Sequence, residues 1–511
     1  MQIHQQFVQV GERRVFVRHA GQGPAVVLLH QSPQNSRSML PWLARLAPHY
    51  AVFAPDTPGF GASDPLPLAQ ATIPDFARAL ARLLDALGLD RVLLYGVHTG
   101  AVVAARLALE RPERVAALVC DGLALFDADE RCGLLDGYLP PFEPAWDGAH
   151  LLWLWARLRE QNFFFPWHLH DAAHRLAYPM PSAEKLHADV LDVLDAGDGY
   201  RVGYRAPFLY EQGIATASAL RVPARLLYRD SDVLAAHLSR LGALPDGVGA
   251  QQVTVDELPV QTLAHFAAHA AAASTVDTTH CVEQAQSAER RVVATPHGLL
   301  GVRIEQPQHE AIEIVLPDIG TAAGLVPAGT TDRCRIVVDL PGHGASGGWL
   351  AQEVQAAAMA AAIEHAVLSV RPAATALHVR SYGGSAAFAL RLAQRLGPRC
   401  GSWTMHAALA LRTDERERFL ASLPCATSDA QGSHLIAAWN WARQRALFMP
   451  WAPAERAALP QTGAPSPWRL HADVTEMLRA GGLLAELWRA ALAVDVPTAS
   501  AELHCPVATV A

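Results

Sequence analysis

Short apolar runs alternate with longer amphipathic stretches along most of this chain. Residues 14–19, with Val15, Phe16 and Val17 between polar ends, read as a strand. Residues 25–29, 51–54, 91–95, 115–120 and 224–228 are brief, nearly continuous apolar runs, the pattern of strands buried on both faces. Residues 76–87 and 101–109 carry apolar positions at helical spacing between them. Strands with intervening helices predict a mostly parallel sheet covered on both sides. From about 126 to 220 the pattern turns helical and rich in Trp, Phe and His. That segment predicts a helical cap over the carboxyl ends of the strands.

The pattern then returns. Asp56-Thr-Pro-Gly-Phe-Gly-Ala-Ser63 reappears 283 residues later as Asp339-Leu-Pro-Gly-His-Gly-Ala-Ser346. Gly148-Ala-His150-Leu151 and Leu186-His-Ala-Asp-Val190 reappear 284 residues later, at Gly432 and Leu470. One offset that drifts by a single residue and holds at separate places implies an ancient duplication. The expected domains are residues 1–272, with a cap near 126–220, and residues 292–511, with a cap near 412–503. The polar segment 273–291 lacks an apolar period and is expected to be a linker. The second copy is expected to stop after a strand near residue 510. Its outer sheet edge would then need a cover, from the first copy, the linker or a second chain in a homo-oligomer.

Composition narrows the classes. Of 511 residues, 51% are hydrophobic, which supplies sizeable cores and excludes a disordered chain. The formal net charge of −8 gives no basic field for nucleic acid or an anionic membrane. No apolar run approaches the roughly 20 residues of a membrane-spanning helix. No secretory signal is visible at the N-terminus. The seven cysteines are widely spaced and read as reduced thiols, which points to the cytoplasm.

The candidate chemistry lies at Leu93-Leu-Tyr-Gly96-Val-His98-Thr99-Gly100. An apolar strand runs into small-x-X-x-small and then a helix, the pattern of a sharp turn that displays its central residue. At the same offset the second copy has Ser381, in Val379-Arg-Ser-Tyr-Gly383-Gly384. Upstream, Leu29-His30-Gln31-Ser32-Pro33 ends a strand in a loop whose N–H groups can face an oxyanion. In order and spacing these motifs resemble the α/β-hydrolase superfamily. The resemblance implies an α/β fold of two tandem domains, each a mostly parallel sheet flanked by helices with a helical cap. His-Gln-Ser-Pro with Gly-Val-His-Thr-Gly also resembles a bacterial subgroup carrying His at the nucleophile position.

The superfamily places an acid after the strand at 224–228, where Asp230 and Asp232 stand, and a histidine after the next strand, where Pro259-Val-Gln261-Thr has none. His265, further on, lies at helical spacing with His269. The catalytic candidates are therefore His98, Asp230 and Asp232, with Ser381 in a second copy expected to be degenerate. The binding candidates are His30, Gln31, Ser32 and Thr99, joined by His150, Arg159 and His187 of the cap. The cap residues recur, with Trp155, Trp167 and Asp189, as His434, Arg443, His471, Trp439, Trp451 and Asp473. Cap packing explains that recurrence as well as a clamp on an anionic or carbonyl substrate does.

No complete metal-ligand set or nucleotide-binding loop is present, so neither metal nor cofactor is expected. The expected function is an esterase-like hydrolase acting on a small ester, lactone or C–C bond next to a carbonyl. His98 would be its base or nucleophile. A lyase or isomerase using His98 as a proton shuttle, and a non-catalytic binding module, are the alternatives.

Overall fold

The computed structural model describes residues 3–326, 332–407, 409, 411–425, 427–448 and 465–510. The chain forms two compact units, one of residues 1–143 and 155–287, the other of residues 144–154 and 288–511.

The first unit is built on nine strands: β1 (His4–Val10), β2 (Arg13–Ala20), β3 (Gln22–Leu29), β4 (Ala51–Pro55), β5 (Val92–Val97), β6 (Val115–Asp121), β7 (Ala224–Arg229), β8 (Val248–Val253) and β9 (Thr275–Asp277). Their order is β1-β2-β4-β3-β5-β6-β7-β8, with β9 beside β3. Pairing is parallel from β4 to β8 and antiparallel at β1–β2 and β2–β4. The apolar runs in β3, β5 and β6 are buried on both faces, because helices pack each side. Helices Ala128–Gly137, Ala149–Glu160 and Ala183–Ala196 intervene between β6 and β7, where the helical pattern predicted a cap.

The second unit is built on seven strands among its described residues: β10 (Arg290–Thr295), β11 (Gly298–Glu305), β12 (Ile312–Leu316), β13 (Cys334–Val338), β14 (Leu377–Tyr382), β15 (Cys400–His406) and β16 (Val507–Val510). Their order, β10-β11-β13-β12-β14-β15-β16, repeats that of β1 to β7. The aspartate turn repeats bond for bond. Ala62 N donates to Asp56 Oδ2 and Ser63 Oγ to Asp56 O. Ala345 N and Ser346 Oγ do the same with Asp339.

Residues 273–291 differ from the linker expected there. Thr275–Asp277 pairs antiparallel with β3, and Asp277 caps helix Thr278–Gln284 by accepting from Thr279 N. Thr278, Cys281 and Val282 are buried, a helical i, i+3, i+4 stripe too short to stand out from its polar surroundings. At the other end of the second sheet, Ala508, Thr509 and Val510 of the last described strand are exposed. No helix of the described residues is long and apolar enough to cross a membrane.

Candidate active site

The turn after β5 carries the site. His98 has φ +45°, a left-handed conformation that a non-glycine residue adopts only when its surroundings enforce it. Gly96 and Gly100 make the turn tight. A Cβ on Gly96 would lie 2.4 Å from Gly100 C, and one on Gly100 would lie 2.4 Å from Leu29 O. The strained turn leaves His98 half-buried at the end of the strand, on a cavity of about 190 Å³. Gln31 and Ser32 of the loop after β3 line the same cavity.

Asp232 meets His98 directly. Its Oδ2 lies 2.8 Å from His98 Nε2 and accepts a second hydrogen bond from Arg229 Nη2 at 2.8 Å. Leu234 N donates to Oδ1 at 2.9 Å. Burial alone would raise the acid's pKa, but His98, Arg229 and the backbone donor together hold it down to about 2. An ionised Asp232 accepts from Nε2–H, which leaves Nδ1 as the basic nitrogen of the neutral ring. Arg229 also donates from Nε to Asp121 Oδ1 at 3.0 Å, and Tyr95 OH donates to Asp121 Oδ2 at 2.8 Å. Burial raises the Asp121 carboxyl while Arg229 pulls it back.

The Asp232 carboxyl is lower in the folded state than the roughly 3.9 of an unfolded aspartate. Its contribution to stability is therefore complete above about pH 4 and is lost as pH falls toward 2. Acid denaturation of Asp232→Asn, followed by circular dichroism, should show a shallower loss of stability between pH 4 and 2 than the unmodified protein.

Gly122 clears the space for the imidazole. It has φ +72°, and a Cβ there would lie 2.7 Å from His98 Cδ2. Gly122→Ala should therefore displace the ring and cost roughly a hundredfold in turnover, the scale of a misplaced catalytic group. Unchanged kinetics in that variant would show that the ring's position is unimportant.

The structure separates the remaining candidates. Asp230 is exposed at the end of β7 and has no part in the site, because the turn aims Asp232 inward instead. His30 is buried beneath the loop, with Nδ1 to Gln31 O at 3.0 Å and Nε2 accepting from Thr57 N at 2.8 Å. Burial lowers its pKa, so it is a neutral loop brace, and His343 braces Gly320 N and Pro341 O in the same way. Thr99 is buried in the first helical turn and does not line the His98 cavity, although its backbone N–H follows the turn.

The three cap candidates do not line the cavity either. His150 belongs to the second unit, at the start of its helix, where Nδ1 accepts from Ala145 N and its ring packs on Trp439. His434 makes the matching contact with Asp429 N, so this recurrence reflects helix packing. Arg159 pairs with the neighbouring Glu160. Helix Ala183–Ala196 reaches the cavity through Asp189, two residues after His187, because residues two apart diverge on a helix. His265 lies against Pro223 O, not near the turn. Trp451 lies outside the described residues.

Ser381 requires a correction. It lies within β14 and pairs in register with Leu316 and Met405, whereas Gly96 pairs with Leu29 and Cys120. Ser381 is thus the counterpart of Gly96. The counterpart of His98 is Gly383, with φ +53°. The stretch from the aspartate turn to the elbow is two residues longer in the second unit, which a constant offset misses. Ser381 is fully buried, and its Oγ accepts from Trp403 Nε1 at 2.9 Å. Ser381→Ala should leave catalysis unchanged and cost about 1–3 kcal/mol in chemical denaturation, because it strands a buried indole N–H.

At Gly383 the second unit packs the carboxyl of Asp318 against its turn. Asp318 Oδ1 accepts from Gly384 N and Ile319 N, both at 2.8 Å. A Cβ on Gly383 would lie 2.3 Å from the Asp318 carboxyl. Gly384 is the counterpart of Thr99, so the Asp318 carboxyl takes the N–H at that position of the second turn.

Sequence reasoning missed Tyr138, Gln161, Tyr178 and Tyr204, which line the His98 cavity from the cap. No motif marks them, since the cap helices bring them together from distant positions. Gly122, directly after β6, offered only an isolated glycine as a signal.

Fold and turn together define a unit of α/β-hydrolase type. Residues 24–217 match the family model described as alpha/beta hydrolase fold, in agreement with the sheet order and flanking helices of this unit. A 2-hydroxy-6-oxo-6-phenylhexa-2,4-dienoate hydrolase of Burkholderia cepacia is 33% identical over 125 residues, 23% of this chain and 44% of that protein. An epoxide hydrolase 2 of Siraitia grosvenorii is 40% identical over 107 residues, 20% of this chain and 33% of that protein. The chain thus spans less than half the length of these curated relatives. Among solved structures, an epoxide hydrolase of Vigna radiata matches with 21% identity and a TM-score of 0.40, over 52% of this chain and 97% of that one.

Proposed function

We propose that the first unit is a hydrolase of small carbonyl compounds, with His98 as general base. The observation that carries this reading is the 2.8 Å contact between His98 Nε2 and a buried, ionised Asp232, at a strained turn facing a cavity. Asp232 fixes the tautomer, and Nδ1 takes a proton from water. The resulting hydroxide attacks the carbonyl, and the oxyanion accepts from the backbone N–H of Gln31 on the cavity wall. The imidazolium then returns the proton to the leaving group as the tetrahedral intermediate collapses. Acid and base roles thus fall to one histidine, at the position where this fold usually holds a nucleophile.

The names of the relatives, a dienoate hydrolase and epoxide hydrolases, support hydrolysis as the reaction class. A second reading draws on the same dyad. His98 and Asp232 need no separate nucleophile to move a proton, so a lyase or isomerase would also use them. Turnover of an ester, lactone and β-diketone panel in H₂¹⁸O separates the two. Label in the product supports hydrolysis. Deuterium uptake from D₂O without cleavage supports the proton shuttle. We also infer that the second unit arose by duplication and serves a structural role, a reading supported by its matching strand order and by Gly383 at its elbow.

A further inference from the structure

A buried guanidinium stands behind the cap wall of the first unit without an anion. Arg157 is 2% exposed, and no carboxylate of the described residues pairs with it. Its guanidinium lies 5.8, 5.3 and 5.7 Å from the ring centroids of Tyr138, Trp167 and Tyr200. Its Nη1 reaches Gln161 Oε1 at 3.4 Å, while Nε and Nη2 have no partner. Aromatic faces offset part of the cost of burying such a charge, but they accept no conventional hydrogen bond.

The wall in front of Arg157 is rich in donors. Arginine only donates, so the Gln161 oxygen is committed to it, and the Gln161 amide N–H groups remain for the cavity that this residue lines. Tyr138 OH and Tyr204 OH are 3.3 Å apart on the same wall. One donates to the other, which leaves the second with a free O–H. The carboxylate that lines this cavity from the cap, Asp189, is already spent on Lys185 and on Gln34 Nε2 at 3.3 Å.

We propose that the His98 cavity takes substrates bearing a carboxylate, and that this group docks on Gln161 and the tyrosine pair with the Arg157 charge behind it. The inference rests on the reading of this cavity as the substrate site and adds the substrate class. A carboxylate is acceptor-only, so it suits the N–H and O–H donors of Gln161 and the tyrosine pair, and its charge balances a buried cation that pairs with no carboxylate of the described residues. The reacting carbonyl then lies toward His98.

Titration calorimetry on the full chain with benzoate and benzamide tests this. The two probes are similar in shape and differ in charge. Benzoate should bind at least tenfold more tightly than benzamide. Gln161→Leu, a change on the cavity wall, should abolish that preference. Arg157→Met should do the same where circular dichroism shows it folded. His98→Ala should retain the preference, so a failed catalytic reading leaves this test standing. Equal affinities, a preference that survives Gln161→Leu, or no saturable benzoate binding would overturn the proposal.

Discussion

Replacing His98 by alanine should lower turnover by a factor on the order of 10²–10⁴, the range for loss of a general base. The geometry makes this side chain hard to substitute. It is the ring that faces both Asp232 and the cavity, and among the described residues no second histidine lines that cavity. Alanine would also hold φ +45° at some cost in stability. His98→Gly adopts that conformation freely and separates strain from chemistry. Both variants should lose activity alike, and added imidazole should restore part of it in the glycine variant. Ser381→Ala serves as the control. Retained turnover in His98→Gly, or a loss in Ser381→Ala alone, would refute the assignment.

Replacing Glu313 by alanine should destabilise the second unit by about 3–5 kcal/mol, the cost of breaking a buried ion pair from one side. Glu313 lies in β12, buried, between strands that carry two arginines. Its Oε2 accepts from Arg335 Nε at 3.1 Å and its Oε1 from Arg380 Nε at 2.9 Å. Arg335 is 1% exposed, and its other partner is Glu305, at 2.6 Å. Removing Glu313 leaves two guanidinium groups facing an emptied site. Glu313→Gln keeps the side-chain volume and one acceptor oxygen, although its NH2 must face one arginine, and should cost less than alanine. Urea denaturation of the three proteins gives the comparison, and a loss under about 1 kcal/mol for the alanine variant would show that the network is readily replaced.

These two effects differ in how far the sequence could anticipate them. His98 was legible, because small residues two before and two after it, between an apolar run and a helix, mark a sharp turn. Asp232 was legible only as one of two aspartates. The choice between Asp230 and Asp232 depends on which side chain the turn after β7 aims inward. Glu313 was invisible as a core charge. A single glutamate in an apolar run announces burial only once its flanking strands are known to bring arginines.

The sequence by itself determined the local structure and the repeat. Periodicity set strands and helices, since a strand or helix must present its apolar face at a fixed spacing. Repeated motifs gave the second sheet its expected place, and the glycine-lined turn located the candidate chemistry. Tertiary structure decided what depends on register and on contacts between distant segments. A two-residue difference in loop length put Gly383, and not Ser381, at the second elbow. The cap residues at the cavity became Tyr138, Gln161 and Asp189 in place of His150, Arg159 and His187, because the facing of a helix depends on what it packs against. Linear spacing fixes the neighbours of a residue along its own element; only the packed chain fixes which side chains meet across elements.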